Sequence, residues 1–411
     1  MTNVRIPGFS AVLVVMVVGS VGGPVFAADA AVGPFSVFLG QGFTYDSNVF
    51  RLGPAANAQQ VIGDSNRSDW ISTTRGGAVF ETQQSLQRFR LSGEVNYSKY
   101  NRFSQLDHTG RNLAALWDWK VGNRWFGEAR AAQINNLTPF QDYRVLSANT
   151  QTSRTTVNDY FLSGNYWALP DWSLGAGVGR NSGRYSADVL KPAEYDANFG
   201  ELAARYRPPT GSEVVLRYRH TRGEFPNRTN PIDSKAYTQD EVSVSSSWPI
   251  TAASRVEGSL GVTRRQLDDY VDPAQKSSNA NFTGVTGRLL YDWKITAATS
   301  LNVGLTRATL PVQNTDADYS VVTALGISPT WAVTSKVRVQ ARFEEAWRDL
   351  KGGVSNGQAD QLETLGLNLI YLPIERLETN LSLSTQRRTA DNPNLEFRTN
   401  VFFIGGRYTF Y

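Results

Sequence analysis

The chain has no cysteine, two methionines and two histidines among its 411 residues. The missing thiols exclude a disulfide framework, a cysteine nucleophile and a thiolate metal site. His108 and His220 are all the imidazole there is. Neither has a serine or acid neighbour in a recognisable catalytic pattern, so no enzyme, cofactor or metal centre is expected. Charge is close to balance: 41 Lys and Arg against 37 Asp and Glu give +4, or about +3 without the Arg5 of the leader. That surplus is too mild to point to nucleic acid. Long apolar runs are also lacking. A membrane-spanning helix needs ~20 consecutive apolar residues, and residues 28–411 contain no such stretch.

The N-terminus is different in kind. Arg5 is followed by an apolar run from Phe9 to Val21 and then by Val25-Phe26-Ala27, with small residues where a signal peptidase reads. The pattern is that of a secretory signal peptide cleaved after Ala27, so the expected division is a leader over 1–27 and one domain over 28–411. What that domain has in quantity is aromatic side chains: the chain carries 10 Trp, 17 Tyr and 20 Phe at a mean hydropathy of −0.34. A barrel that crosses a membrane shows both properties at once. Only alternate residues meet lipid, so the average is polar while aromatic girdles remain.

The last sixteen residues, Glu396 to Tyr411, state that alternation most plainly. Phe402, Ile404, Gly406, Tyr408 and Phe410 fall on one face, and Arg407 and Thr409 on the other. The spacing Gly405-x-x-Tyr408-x-Phe410 resembles the terminal assembly signal of bacterial outer-membrane proteins. Tyr411 as an extra residue and Phe403 in place of a polar one depart from it.

From Phe35 the sequence divides into about eighteen alternating segments joined by connections that are by turns long and short. The long ones are Ser47 to Ser68, Thr138 to Arg154, Ser186 to Glu194, Phe225 to Ala236, Asp269 to Asn281, Leu310 to Asp318 and Leu350 to Ala359. Between them lie short turns at Gln83 to Gln87, Val121 to Arg124, Leu169 to Asp171, Pro208 to Ser212, Pro249 to Ala253, Ile295 to Ala298, Val333 to Ser335 and Leu372 to Glu375. Each strand entering a short turn ends in an aromatic: Trp119, Trp167, Tyr206, Trp248, Trp293, Trp331, Tyr371 and finally Phe410. These are read as the girdle at one membrane interface. The expected fold is therefore all-β, a transmembrane antiparallel β-barrel of about eighteen strands of the bacterial outer-membrane type, with both termini periplasmic.

Period two then assigns faces. Leu377, Thr379, Leu381 and Leu383 face lipid, as do Val337, Val339, Ala341 and Phe343. The opposite parity places Arg88, Arg90, Arg130, Arg205, Arg217, Arg219, Arg288, Arg338 and Arg342 on the lumen, with Glu94, Glu128, Glu201, Glu257 and Glu344 as candidate partners. Charges of both signs inside a wide barrel mean a wet lumen. Ser47 to Ser68 and Thr138 to Arg154 are long enough to fold inward and narrow it. Guanidinium groups beside aromatic rings suit carboxylates, phosphates and sugar rings, but arginines paired with glutamates would equally line a general pore. Composition leaves both readings open. The outer loops also hold acidic clusters, Asp46, Asp64 and Asp69; Asp268, Asp269 and Asp272; Asp316 and Asp318, none with the glycine and terminal glutamate spacing of a dedicated Ca²⁺ loop.

After the first segment stands Tyr45-Asp46-Ser47-Asn48-Val49-Phe50-Arg51-Leu52. Its Tyr45, Asp46, Asn48, Phe50 and Arg51, with the leader, the hairpin repeat and the aromatic terminus, resemble the EpsL-like outer-membrane barrels of exosortase-associated exopolysaccharide loci. Ser47 stands where members of that family commonly have Asp. The resemblance implies a non-enzymatic channel or accessory in exopolysaccharide biosynthesis or export, with exopolysaccharide and other secretion-locus proteins as partners. On the residues alone the octapeptide reads as a strand end and turn, with Asp46 and Asn48 bonding to local backbone. A general or solute-selective porin is the alternative, and a structural or adhesive barrel retaining surface glycan is a third. Outer-membrane lipid, lipopolysaccharide and the barrel-assembly machinery are partners expected of any such barrel.

Overall fold

A computed structural model describes residues 34–141, 152–209, 212–276, 278–312 and 316–410. The leader over 1–27, the middle of the 138–154 connection and Tyr411 lie outside the described residues. Alternating side chains and β-branched or aromatic residues form eighteen strands. They are β1 (Phe35–Asp46), β2 (Asp69–Gln84), β3 (Gln87–Tyr100), β4 (His108–Val121), β5 (Trp125–Leu137), β6 (Arg154–Leu169), β7 (Trp172–Tyr185), β8 (Tyr195–Tyr206) and β9 (Glu213–Glu224). The second half comprises β10 (Ser234–Thr251), β11 (Ser254–Tyr270), β12 (Phe282–Lys294), β13 (Thr299–Leu310), β14 (Tyr319–Ala332), β15 (Val337–Lys351), β16 (Ala359–Ile374), β17 (Leu377–Ala390) and β18 (Phe397–Phe410).

Each strand pairs antiparallel with its neighbours in sequence, and β1 pairs with both β2 and β18, from Val37↔Phe410 to Asp46↔Val401. The sheet therefore closes on itself and has no edge along that seam. The chain is an eighteen-stranded β-barrel of the outer-membrane type, as the alternation of segments leads one to expect. The eight short turns gather at one end with the outer ends of β1 and β18. At the other end lie the seven long connections and two more, 101–107 and 391–396, that the turn chemistry does not single out. Among the described residues no helix is long and apolar enough to cross a membrane.

The two faces differ in chemistry. One carries Leu91, Val95, Leu162, Val178, Leu202, Leu260 and Leu367, all exposed, Leu260 at 67%. The other makes contacts between strands that are not neighbours: Arg388 on β17 donates to the carbonyl of Gln141, just past β5, at 2.5 Å. Only the inner face of a closed barrel permits such a bond. The outer face is thus the apolar one, and it ends in aromatic residues at both levels. Trp172, Trp248, Trp293, Trp331, Tyr371 and Phe410 ring the short-turn end. Tyr45 and Trp70, with centroids 5.3 Å apart, and Phe402 mark the other level.

Trp167 corrects the expected girdle. It pairs with Ser173, which is almost fully buried on the inner face, and stacks on Phe126 at 5.4 Å. Adjacent aromatics Tyr166 and Trp167 compete for the outer position. Tyr166 takes it, against Trp125 at 4.8 Å.

At the closing seam, Phe403 faces inward and lies over Gly42 and Gly405. A Cβ at either glycine would stand 2.6 Å from its ring. The departure from the usual polar residue thus fills a hollow made by two missing side chains. Gly405 is part of that hollow, while Tyr408 and Phe410 meet edge to face on the lipid side at 4.7 Å.

Candidate functional site: the lumen and the segments that cross it

The octapeptide turns the chain from the wall into the lumen. Ser47 continues the β1–β18 ladder: its N–H donates to the Asn400 carbonyl at 3.0 Å, and its hydroxyl accepts from the Asn400 N–H at 2.7 Å. Arg51 adopts φ +55, a conformation that a non-glycine residue holds only when it is fastened. Here the fastening is an ion pair with Asp46 at 2.9 Å, nearly fully buried, and Asp46 also accepts from the Thr399 hydroxyl at 2.7 Å. Asn48 closes the turn on itself. Its amide group donates to the Leu52 carbonyl and accepts from the Leu52 N–H, both at 2.9 Å. With the backbone so reversed, Val49, Phe50 and Leu52 point at the inner wall.

There they build a core. Phe50 packs on Phe103 and Phe140 with centroids 4.8 Å from each, and Ile62, Ile71, Tyr100 and Leu106 complete the cluster. A short helix, Ala58–Ile62, capped by Asn57 and ended by Gly63 at φ +75, lays Ala58 and Ile62 onto it. The first loop is therefore folded inward as one packed unit. Phe140 draws the start of the 138–154 connection onto the same core, and the Gln141 carbonyl reaches Arg388 beyond it. Arg388 is held in turn by Asp360 at 2.8 Å, which also pairs with Arg348 at 2.6 Å.

A second inward element comes from the far side. The ends of β13 and β14 lean over the inner faces of β10 and β11, where Tyr319 and Val321 join Tyr237, Leu267, Phe225 and Ala197. Arg265 is clasped between the rings of Tyr237 at 3.5 Å and Tyr319 at 4.4 Å. Arg228, in the connection from β9 to β10, pairs with Asp318 and lies 3.6 Å over Phe225. Burial pushes its guanidinium down to about 10, and Asp233 opposes the shift.

Below these segments the wall from β5 to β9 carries the densest cluster of arginines, carboxylates and rings. Arg130 bonds Asp159 at 2.8 Å and Glu128 at 3.3 Å and lies 5.4 Å over Phe161. Glu201 is shared by Arg219 at 2.6 Å and Arg217 at 3.6 Å, and Glu213 by Arg207 at 2.6 Å and Arg205 at 3.4 Å. Arg219 sits 4.6 Å over Phe199, Arg205 5.4 Å over Phe126 and Arg207 5.4 Å over Trp167. On β8 and β9, with the residue that follows β8, four guanidiniums face two carboxylates, a local surplus of two positive charges. On β5 and β6 two carboxylates face one guanidinium, a local surplus of one negative charge. The wall presents the two side by side.

The other candidate arginines are dispersed. Arg88 pairs with Glu81 at 2.7 Å, and Arg342 with Glu344 on its own strand. Arg90 stands opposite Glu81 and Leu116 in the ladder, Arg288 opposite Ser259 and Thr306, and Arg338 opposite Ile370 and Ala332. His108 is buried against the Leu106 carbonyl at 2.8 Å. His220 and Tyr218 both bond Asp240, at 2.8 and 2.7 Å, on the outer face. The acidic clusters are spent on structure: Asp69 accepts from the N–H groups of Arg102 and Phe103, Asp64 pairs with Arg102 at 3.1 Å, and Asp272 caps a short turn at Ala274. Among the described residues no three His, Cys, Asp or Glu converge as a metal site would require.

No protein-family model matches the chain, and no curated protein matches it. Among solved structures it is similar to Pseudomonas aeruginosa OccK9 (OpdG), at 14% identity over 92% of this chain and 98% of that one, with a TM-score of 0.49. It is likewise similar to OpdK of the same organism, solved with vanillate, at 10% identity over 92% and 99% with a TM-score of 0.48. OccK2 (OpdF) of Pseudomonas aeruginosa, solved with glucuronate, gives 12% over 92% and 98% with a TM-score of 0.47.

Trp167 and Phe126 as lumenal rings, Arg207 as the fifth arginine of the β5–β9 wall and the Arg265 clasp are not among the residues that the sequence singles out. The adjacent aromatics Tyr166 and Trp167 were the available signal for the first. For Arg265, strand parity alone would have placed it inside.

Proposed function

We propose that this barrel is a passive outer-membrane channel for small polar solutes with a preference for anions, its short turns and both strand ends β1 and β18 on the periplasmic side. The observation that carries the reading is the β5–β9 wall. Guanidiniums pinned by shared glutamates and backed by rings are pre-positioned, so a passing carboxylate or phosphate meets donors that need not be reordered. The adjoining acidic patch supplies a transverse field that orients a dipolar solute. Each contact is with groups already half satisfied, which favours brief residence over tight binding and suits conduction.

A polymer conduit in exopolysaccharide export would need clearance for a chain of sugars along the whole lumen. Three inward segments reach into that space: the first loop, the residues after β5, and the β13–β14 hairpin. A small solute needs far less room. The octapeptide, on which the exopolysaccharide resemblance rests, is also accounted for by the turn it makes.

The test is conductance of the purified chain in a planar bilayer under a KCl gradient, compared with Arg217→Gln and Arg219→Gln together. The expected result is an anion-favouring reversal potential that moves toward the cation side in the double variant. A folded wild-type barrel with no conductance would sink the channel reading in favour of a structural barrel. An unchanged potential would sink the role of the arginine patch. Loss of surface polysaccharide from a strain lacking the chain, with small-solute uptake intact, would restore the export reading.

A further inference from the structure

The wall is incomplete at one seam. From β11 to β12 the ladder runs to Arg265↔Phe282, and from β13 to β14 it runs to Leu310↔Ser320. Between β12 and β13 it stops at Gly287↔Arg307. Five residues of β12, Phe282 to Thr286, and three of β13, Ala308 to Leu310, thus have strand geometry without pairing to each other. The cause is the lean of the hairpin. The Thr309 hydroxyl donates to Gln239 at 2.9 Å, and Gln239 belongs to the inner face of β10, two strands from β12. To reach it, β13 has left the wall and passed across β11 and β12 on the lumen side.

An exposed strand edge is a template for pairing, and this one lies beside the segment that would complete it. We propose that the free edge of β12 is a docking site for the end of β13 of the same chain, so that the β13–β14 hairpin alternates between the lumen and the wall and thereby gates the channel. This rests on the channel reading above. The register is fixed by the pairs already formed: Thr286 would face Ala308, Val285 would face Thr309, and Gly284 would face Leu310. Parity agrees with two stable positions. Thr309, Tyr319 and Val321 occupy the parity of outward-facing Leu305 and Leu325. In the wall position they would leave the inner cluster for the outer surface, and the sheet would gain ladder hydrogen bonds. Exposed Arg264 and Arg307 flank the slot on the outside, which suits headgroup depth rather than hydrocarbon. The lumen position is latched by the Arg228–Asp318 pair, the Tyr319 hydroxyl on the Ala280 carbonyl at 2.7 Å, and the Arg265 clasp.

The absence of native cysteine makes the test direct. Thr309→Cys is combined with Gln239→Cys to trap the lumen position and with Val285→Cys to trap the wall position, and each full-length barrel is treated with a short bis-methanethiosulfonate. Both pairs are expected to bridge, the lumen pair faster, and the wall-bridged protein to conduct more than the lumen-bridged one. Thr286→Cys with Ala308→Cys should bridge as a second in-register pair and serves if the first fails to fold. Val285→Cys with Ala308→Cys, out of register, should bridge far more slowly. Arg228→Gln should raise the wall-pair rate by about tenfold or more, as removal of a buried charge contact from one of two states predicts. No bridging of either wall pair while the lumen pair goes to completion would overturn the moving hairpin. Bridging of both with equal conductance would overturn the gate. Bridging with the expected kinetics in a barrel that conducts nothing would leave the hairpin movement standing and refute the channel instead.

Discussion

Two seams of this barrel deliver chain into the lumen, and they do so in opposite ways. At β1/β18 the ladder runs to Asp46↔Val401, and Ser47 adds further bonds to Asn400, before the backbone reverses at Arg51. At β12/β13 the ladder is given up five residues early on β12, and the strands themselves carry the inward element. The first seam holds its inward unit by a turn that is charged, buried and complete within a few residues of sequence. The second holds it by its own Asp318 and Tyr319, which meet Arg228 of a distant connection and Arg265 of β11, against a wall that could take it back. Folding a loop inward leaves the barrel sealed; folding a hairpin inward leaves an edge to be repaired. Position in the lumen thus does not tell whether an element is fixed, whereas the state of the ladder beneath it does.

If that contrast is right, the largest effect comes from the closing seam. Asp46→Ala leaves Arg51 buried without its partner, and breaking such a pair costs ~3–5 kcal/mol. Urea unfolding in detergent, followed by the heat-modifiable mobility of the barrel, should show a markedly lower midpoint. Proteolysis should at the same time begin at Arg67, released with the loop. A midpoint equal to wild type would mean that the turn does not secure the seam.

Next comes Phe403→Ala, which empties the hollow over Gly42 and Gly405. A buried phenylalanine lost to alanine is worth about 3 kcal/mol at the lower end of its range, the lower end being apt because lumen water can refill the space. The same unfolding experiment reads it. Restoring volume by Gly42→Ala in the Phe403→Ala background should recover part of the loss, whereas Gly42→Ala alone should destabilise because its Cβ would meet the ring.

The second seam should respond locally. Tyr319→Phe removes one hydrogen bond and leaves the Ala280 carbonyl to find water, a change of about 1 kcal/mol. The global midpoint should not move. Amide exchange should quicken across 307–312 and 316–322 and stay unchanged across 37–46, since a sub-global opening concerns only the unit that opens. Equal acceleration in both segments would erase the distinction between the seams.

These differences were only partly visible in the sequence. The period of two, the alternation of long and short connections and the aromatic terminus are local properties, and they led to the eighteen-stranded barrel and to the inner parity of Arg130, Arg205, Arg217 and Arg219. The octapeptide was legible as a turn, because Asp46 and Asn48 bond within a few residues, but not as the clamp on Thr399, which lies 353 positions away. The lean of β13 and β14 left no mark in the pattern. Thr309 and Val321 keep the parity of a wall strand, and what moves them inward is a set of contacts with β10, β11 and two connections. Trp167 was misplaced because two consecutive aromatics fit the girdle equally by periodicity, and the choice was made by Phe126 across the strand.

The smallest effect should arise at Arg338 and Arg342, which stand on β15, away from the β5–β9 patch. Both side chains are exposed to the lumen, and Arg342 has a neighbour of opposite charge, Glu344 on the same strand. Charges in water act over the Debye length, about 10 Å at 0.1 M salt and about 3 Å at 1 M. Replacing both by Ser should therefore shift the reversal potential slightly toward cations at 0.1 M KCl, by less than the Arg217→Gln and Arg219→Gln pair, and not at all at 1 M. The β8–β9 arginines are held against rings and shared glutamates, where screening is weaker, so their effect should outlast the same rise in salt. A shift at β15 that survived 1 M KCl would show that solute passes along that wall too, and the preference for one side of the lumen would be lost.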